Sequence, residues 1–197
     1  MASFWRKLTP DEYQHCIYDI DLDALRARGI VGLIIDLDNT LAAWRFGQPE
    51  PRLAEWVRSA KDRGLVPFIV SNDLGPRVEL FTRYLGIPGM ARAGKPRSGA
   101  FRRATARLGL SPDKVVVVGD QLFTDVLGAK PLGCRTILVT PLSDREFPGT
   151  RLVRLVERFV LRVLTARGFL ESPVHRRPQG RFPRLDLEEP GGSERPG

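Results

Sequence analysis
The sequence predicts an α/β fold: a mostly parallel sheet between two layers of helices. Four apolar runs, Val31–Asp36, Val66–Ser71, Val115–Gly119 and Arg135–Val139, are dense in Val, Ile and Leu without polar alternation, as strands covered on both faces require. Helix-like stretches separate or follow them: Pro51–Arg63, Pro76–Leu85, Arg97–Leu108 and Thr124–Leu132. Each is closed by a glycine, at 64, 86, 109 and 133, the residue best suited to the left-handed position after a helix. Alternating β and α units of this kind stack as helix, sheet and helix.

At 197 residues the chain has room for one domain with a full core and short appendages. Residues 1–29 read as an N-terminal lead-in, 30–150 as the α/β domain, 151–169 as a basic amphipathic helix and 170–197 as a disordered tail rich in Pro, Gly, Arg and Glu. No apolar stretch approaches the length of a membrane span, and Met1–Pro10 lacks the features of a secretory signal. Two cysteines, Cys16 and Cys134, are too few for a disulfide framework, so a reducing cytoplasm is the expected setting. His15 and His175 add too few soft ligands for structural zinc.

A net charge of +8 points either to an anionic partner (nucleic acid, lipid headgroup or phosphorylated substrate) or to a merely solubilising surface. Part of the charge is concentrated: Arg151 to Arg184 holds nine arginines against Glu157 and Glu171.

The first apolar run ends in Asp36-Leu37-Asp38-Asn39-Thr40-Leu41. Polar residues at the carboxyl end of a parallel strand face the crevice where open α/β sheets bind ligands. Two carboxylates converging there can hold Mg²⁺, which prefers hard oxygens and keeps positions for water and phosphate; alone, the triplet reads equally as an acidic turn. A calcium loop would need glycine where Leu41 stands. The second run ends in Ser71-Asn72-Asp73, by itself a turn signal. Lys95-Pro96 follows in a Gly-rich stretch, and the third run ends in Gly119-Asp120-Gln121, with Thr124-Asp125 one turn on. Acid pair, serine, lysine and second acid pair, in that order, compose a complete phosphoryl-transfer site.

On these residues the chain resembles the haloacid dehalogenase (HAD) superfamily of phosphatases, matching all four of its motifs over roughly 30–140. Asp36 to Leu41 with Trp44, and Gly119-Asp120-Gln121 with Thr124-Asp125, resemble the YqeG family of subclass IIIA, itself similar to phosphatidylglycerophosphate phosphatases. The resemblance implies a three-layer Rossmann-like HAD fold and an Mg²⁺ cofactor. It makes Asp36 the nucleophile that forms an aspartyl-phosphate and Asp38 the general acid and base. Asp36, the backbone carbonyl of Asp38 and Asp120 would hold the metal, with Asp125 in support. Ser71 and Lys95 would hold phosphate oxygens, and Thr40 would orient the acid pair. Asn39 and Asn72 neighbour the motifs with their roles open.

Other phosphate chemistries fail on residues. A tyrosine-phosphatase cysteine needs arginine six positions on, where Cys16 meets Leu22 and Cys134 meets Thr140. Gly89 to Lys95 has P-loop spacing, but Pro96 stands where that loop needs Ser or Thr. The intervals Leu41–Val70 and Asn72–Gly94 hold one helix each, too little for a cap domain, so an open site is expected. Leu152, Leu155, Val156, Phe159, Val160, Val163 and Leu164 form one apolar helix face, with Arg151, Arg154, Arg158 and Arg162 opposite. Such a helix packs on its own protein at least as often as on a membrane. Phe4-Trp5-Arg6-Lys7-Leu8, a second patch of interfacial type, tilts the balance toward peripheral contact at the inner face of a membrane. The expected partner is a phosphorylated substrate, a lipid phosphate or else a soluble phosphosugar or phosphoprotein. A binding module on RNA or a ribosome-associated complex is the alternative from another class; the intact acids and sparse aromatics argue against nucleic acid. The sequence specifies no oligomeric state.

Overall fold
The computed structural model describes residues 5, 7–43, 48–143 and 151–171. Among them, six strands form one parallel sheet: β1 (Glu12–Gln14), β2 (Gly32–Ile35), β3 (Val66–Val70), β4 (Gly89–Met90), β5 (Val115–Gly119) and β6 (Arg135–Val139), ordered β1-β6-β5-β2-β3-β4. The four apolar runs are the long strands. The edge strands escaped the sequence pattern because β1 is polar and β4 has only two residues.

The helices are α1 (Leu22–Ala27), α2 (Pro51–Asp62), α3 (Pro76–Leu85), α4 (Gly99–Leu108) and α5 (Arg151–Ala166). Proline opens α2 and α3, where its missing N–H costs nothing and its φ is already helical. Gly86 and Gly109 end α3 and α4 at φ of 60° and 66°. The expected helix over Thr124–Leu132 is instead a π-helical turn (Leu122–Val126), a short α turn (Leu127–Ala129) and a 3₁₀ turn (Lys130–Leu132).

The two-residue period of the strands divides the core. Leu33, Ile35, Ile69, Val116 and Val118 meet Trp56, Val57 and Phe81 from α2 and α3 on one face. Ile34, Phe68, Val70, Val115 and Val117 meet Ala100, Phe101 and Ala104 of α4 on the other. Ile35 is paired with Ile69 on one side and Val118 on the other. The carboxyl ends of β2, β3 and β5 therefore finish level, and the polar residues that follow emerge side by side.

Among the described residues, a single helix lies between β2 and β3, and a single helix between β3 and β4, so there is no cap domain. The helix expected at the end of the catalytic domain is α5, and it lies against that domain. Leu164 is fully buried, and Val160 and Leu161 pack on a cluster of Leu8, Leu122, Val126 and Leu138. Leu155, Val156 and Phe159 of the expected apolar face are exposed. Arg154, expected on the outer side with Arg158 and Arg162, turns inward with Glu157. Trp5, from the N-terminal aromatic patch, stacks under Arg167, 5.3 Å from ring centre to guanidinium carbon. Phe4, Trp44 and residues 172–197 of the expected tail lie outside the described residues.

Leu164→Ala should lower the unfolding free energy by roughly 2–5 kcal/mol, the usual cost of a buried leucine. Chemical denaturation measures this, and a negligible loss would mean that α5 is not part of the folded core.

Candidate active site
Three strand ends, the loop after β4, a π-helical turn and helices α3 and α5 supply the polar groups of the site. Asp36 leaves β2, Ser71 leaves β3, Asp120 leaves β5, and Lys95 comes from the loop after β4; all four are buried. The Lys95 ammonium lies 2.5 Å from Asp36 Oδ1 and 2.7 Å from Asp125 Oδ1, bridging two carboxylates. The Thr40 hydroxyl lies 3.4 Å from both Asp36 Oδ2 and Asp120 Oδ1. Asp36, Asp120 and Asp125 each offer an oxygen within 4.8 Å of the others.

Local backbone chemistry explains this convergence. Asp125 sits on the π-helical turn, and its Oδ2 accepts from the Gln121 N–H at 3.2 Å. A side chain at Gly119 would place its Cβ 2.2 Å from Asp125 Oδ2; only glycine lets that carboxylate fold back over the strand end. Asn72, whose role the sequence left open, holds the lysine loop. Its Oδ1 accepts from the N–H groups of Gly94 and Lys95 at 3.0 and 2.9 Å, and its Nδ2 donates to the Lys95 carbonyl at 3.1 Å. The Lys95–Pro96 peptide is cis. Asn39 adopts φ of 61°, a conformation asparagine tolerates, and turns the chain so that its N–H bonds the Ala42 carbonyl.

Asp38 stands apart from the carboxylate cluster. It pairs with Arg77 of α3, 3.5 Å from Nε to Oδ1, and is partly exposed. The Ser71 hydroxyl accepts from the Asp73 N–H at 3.0 Å. Every residue singled out in the sequence as a site residue therefore lies at this end of the sheet. The sequence reading missed Arg77 and Arg154. Arg154 Nη1 donates to the Asp120 carbonyl at 2.6 Å and to Glu157 Oε2 at 3.2 Å, and Nη2 pairs with Asp120 Oδ2. Glu157 in turn accepts the Phe123 N–H at 2.8 Å. One signal was available: Glu157 is the sole acid in an otherwise basic helix, three residues after an arginine.

Burial dominates the electrostatics. It pushes Asp36 up to about 7 in spite of Lys95, which pulls the other way. Burial also raises Asp120 well above the carboxylate range, against the opposing pull of Arg154. For Lys95, burial favours the neutral amine, but Asp125 and Asp36 outweigh it and hold the ammonium charged. Asp38 is raised too, first by burial, with Arg77 moderating.

These residues fit a divalent cation. The donors are hard oxygens from clustered carboxylates, the set that suits Mg²⁺. Lys95 and Arg154 bring two positive charges against the three carboxylates, and Glu157 adds a negative charge at the edge. With its carboxylates ionised the buried cluster is short of positive charge, and a divalent cation would supply it.

Residues 92–143 match the HAD-hydrolase-like family model. The chain is 43% identical over 162 residues to the probable phosphatase YqeG of Bacillus subtilis, covering 82% of this chain and 94% of that one. It is 29% identical over 169 residues to the chloroplastic phosphatidylglycerophosphate phosphatase 1 of Chlamydomonas reinhardtii, covering 81% of this chain and 62% of that one. Among solved structures, the cobalt-bound deoxy-D-mannose-octulosonate 8-phosphate phosphatase of Haemophilus influenzae aligns at 17% identity. Its TM-score is 0.49, over 73% of this chain and 98% of that one.

A carboxylate must lose its proton to bind a cation. With Asp36 raised to about 7 and Asp120 raised as well, affinity for a divalent cation should fall at least roughly tenfold per pH unit as the pH drops below neutrality. Calorimetric titration of Mg²⁺ across this range gives the slope. A flat profile would remove Asp36 from the cation site.

Proposed function
This chain belongs to the YqeG family of haloacid-dehalogenase-type phosphatases, and from that premise we propose that it hydrolyses a phosphomonoester through an aspartyl-phosphate on Asp36, with Mg²⁺ as cofactor. The observation that carries this reading is the buried bridge of Lys95 between Asp36 and Asp125, with Ser71 on the neighbouring strand end and Asp120 across from it.

In this mechanism Asp36 attacks phosphorus, and the leaving oxygen takes a proton from Asp38. The raised affinity of Asp38 for protons suits a carboxylic acid to that task. Asp38 then takes a proton from the water that opens the aspartyl-phosphate, so the residue alternates between acid and base. Lys95 and the Ser71 hydroxyl hold non-bridging oxygens and offset the charge developing there. Asp36, the Asp38 backbone carbonyl and Asp120 would ligate the Mg²⁺, with Asp125 supporting through Lys95 or water. When bound, the metal supplies positive charge to the phosphate oxygens.

The best single substrate is phosphatidylglycerophosphate. Supporting it are the likeness to the algal phosphatase, the absence of a cap and the two-sided character of α5. Leu155 and Phe159 are 64% and 65% exposed, and Arg158 and Arg162 lie on the same helix. An apolar strip with arginines beside it suits the surface of an anionic bilayer. A cavity of about 640 Å³ opens beside Asp120, lined in part by Thr140, Ser143, Leu155 and Leu161, and gives room for the rest of a large substrate. Among the described residues no helix is long and apolar enough to cross a membrane; the proposed contact is peripheral, through α5, on the cytoplasmic side. The competing reading is a small soluble phosphate ester.

Asp36→Asn should abolish phosphate release while leaving the fold and thermal midpoint near those of the parent, because the amide keeps the shape but cannot attack. Normal turnover in a folded Asp36→Asn protein would end the nucleophile assignment. For the substrate, the measured quantity is the ratio of activity on phosphatidylglycerophosphate in anionic micelles to activity on p-nitrophenyl phosphate. Replacing Arg158 and Arg162 by Gln removes about 2 kcal/mol of surface attraction, and the ratio should drop roughly thirtyfold with the soluble activity kept. An unchanged ratio would favour a soluble ester.

A further inference from the structure
The carboxylates of the cluster are divided oxygen by oxygen. Asp36 gives Oδ1 to Lys95 and turns Oδ2 toward the Thr40 hydroxyl. Asp120 turns Oδ1 toward the same hydroxyl and gives Oδ2 to Arg154. Asp125 has Oδ1 on Lys95 and Oδ2 on the Gln121 N–H. One oxygen each of Asp36 and Asp120 is thus turned toward the shared Thr40 hydroxyl, 3.4 Å from each.

Arg154 is well placed to enforce this division at Asp120. Its planar fork grips the carbonyl and Oδ2 of one residue, a two-point hold that a single ammonium cannot copy. Glu157 fixes the arginine from its own helix and is itself tied to the Phe123 N–H. Arg154 and Glu157 are both largely buried at the head of α5. Neither residue belongs to the motifs quoted from the sequence.

We propose that Arg154 is a positioning residue for metal selectivity: by occupying Oδ2 it confines Asp120 to one-oxygen ligation and so favours Mg²⁺ over Ca²⁺. The physical reason is coordination number. Mg²⁺ forms a tight octahedron, with waters filling the positions that protein ligands leave. Ca²⁺ takes six to eight oxygens at longer range and gains from a carboxylate that can ligate through both. An Asp120 held by Arg154 denies Ca²⁺ that second oxygen, whereas Mg²⁺, which needs only one from this residue, loses no ligand. This inference rests on the Mg²⁺ reading above and adds the residue that selects the ion.

Two consequences of removing Arg154 must be separated. Loss of a positive charge beside the site tightens binding of any divalent cation, whereas loss of the grip on Oδ2 favours Ca²⁺ alone. The ratio of the two dissociation constants cancels the first and reports the second. The test is calorimetric titration of chelator-stripped protein with Mg²⁺ and with Ca²⁺, on the parent, Arg154→Met and Arg154→Gln, each checked for folding by its thermal midpoint. The expected result is a Ca²⁺-to-Mg²⁺ ratio of dissociation constants about tenfold lower in the folded variants, the scale on which residues behind metal ligands act. A ratio unchanged within about twofold in either folded variant would overturn the inference while leaving the metal site standing. A parent protein that binds neither ion would overturn the Mg²⁺ reading and this inference with it.

Discussion
The Lys95 ammonium, buried between Asp36 and Asp125, holds together two carboxylates that would otherwise repel one another in a medium of low polarity. Removing a charge from water costs several kcal/mol even after relaxation, so neither acid is stable there without a counter-ion. Much of the surrounding chain secures this contact. Asn72 grips the loop that carries the lysine, Gly119 leaves room for Asp125 to fold back, and the level ends of β2, β3 and β5 bring the acids within reach. Still, burial wins at Asp36, which remains far easier to protonate than a surface aspartate. The site is held in an electrostatically uncomfortable state, as expected of groups poised for proton transfer and metal binding.

Arg154 extends the same logic to Asp120 from a distant part of the chain. Thirty-four residues separate the pair, and the arginine arrives on a helix that follows the last strand of the sheet. The helix is therefore joined to the chemistry by a charge-assisted contact, and to the core by Leu164 near its other end. Among the described residues no cap domain covers the site, and this helix reaches the cluster from the Asp120 side.

The parts of this arrangement that sequence could reveal are those set by local chemistry. Unbroken Val, Ile and Leu runs marked the four long strands, and terminal glycines marked the helix ends. The motif residues lay in order along the chain, Asp36 and Asp120 at strand ends and Lys95 in a Gly-rich loop, so all three were legible from one chain. What escaped was long-range or short. β4 has two residues and β1 is polar, so neither has a pattern to detect. Arg77 and Arg154 looked like ordinary solvated arginines, because an arginine on a helix carries no local mark of the carboxylate it will meet. The amphipathic pattern of α5 was read correctly as a pattern but gave the wrong orientation for Arg154. A helix of this kind turns its apolar arc inward only when nothing stronger competes. Here the buried Asp120 carboxylate and the Phe123 N–H are both in want of partners, and Arg154 and Glu157 answer them.

That competition leaves α5 with an unusual division of labour. Its first turns are held by ionic and hydrogen-bonded contacts made inward, while Leu155, Val156 and Phe159 face outward. Neighbours three and four positions apart lie on one side of a helix, whereas adjacent positions diverge. Leu155, which directly follows Arg154, is largely exposed and lines the cavity beside Asp120, so one residue of backbone separates the exposed strip from the guanidinium on Asp120. A bilayer or partner that engages the outer strip would act on a helix whose inner face already grips a carboxylate of the site.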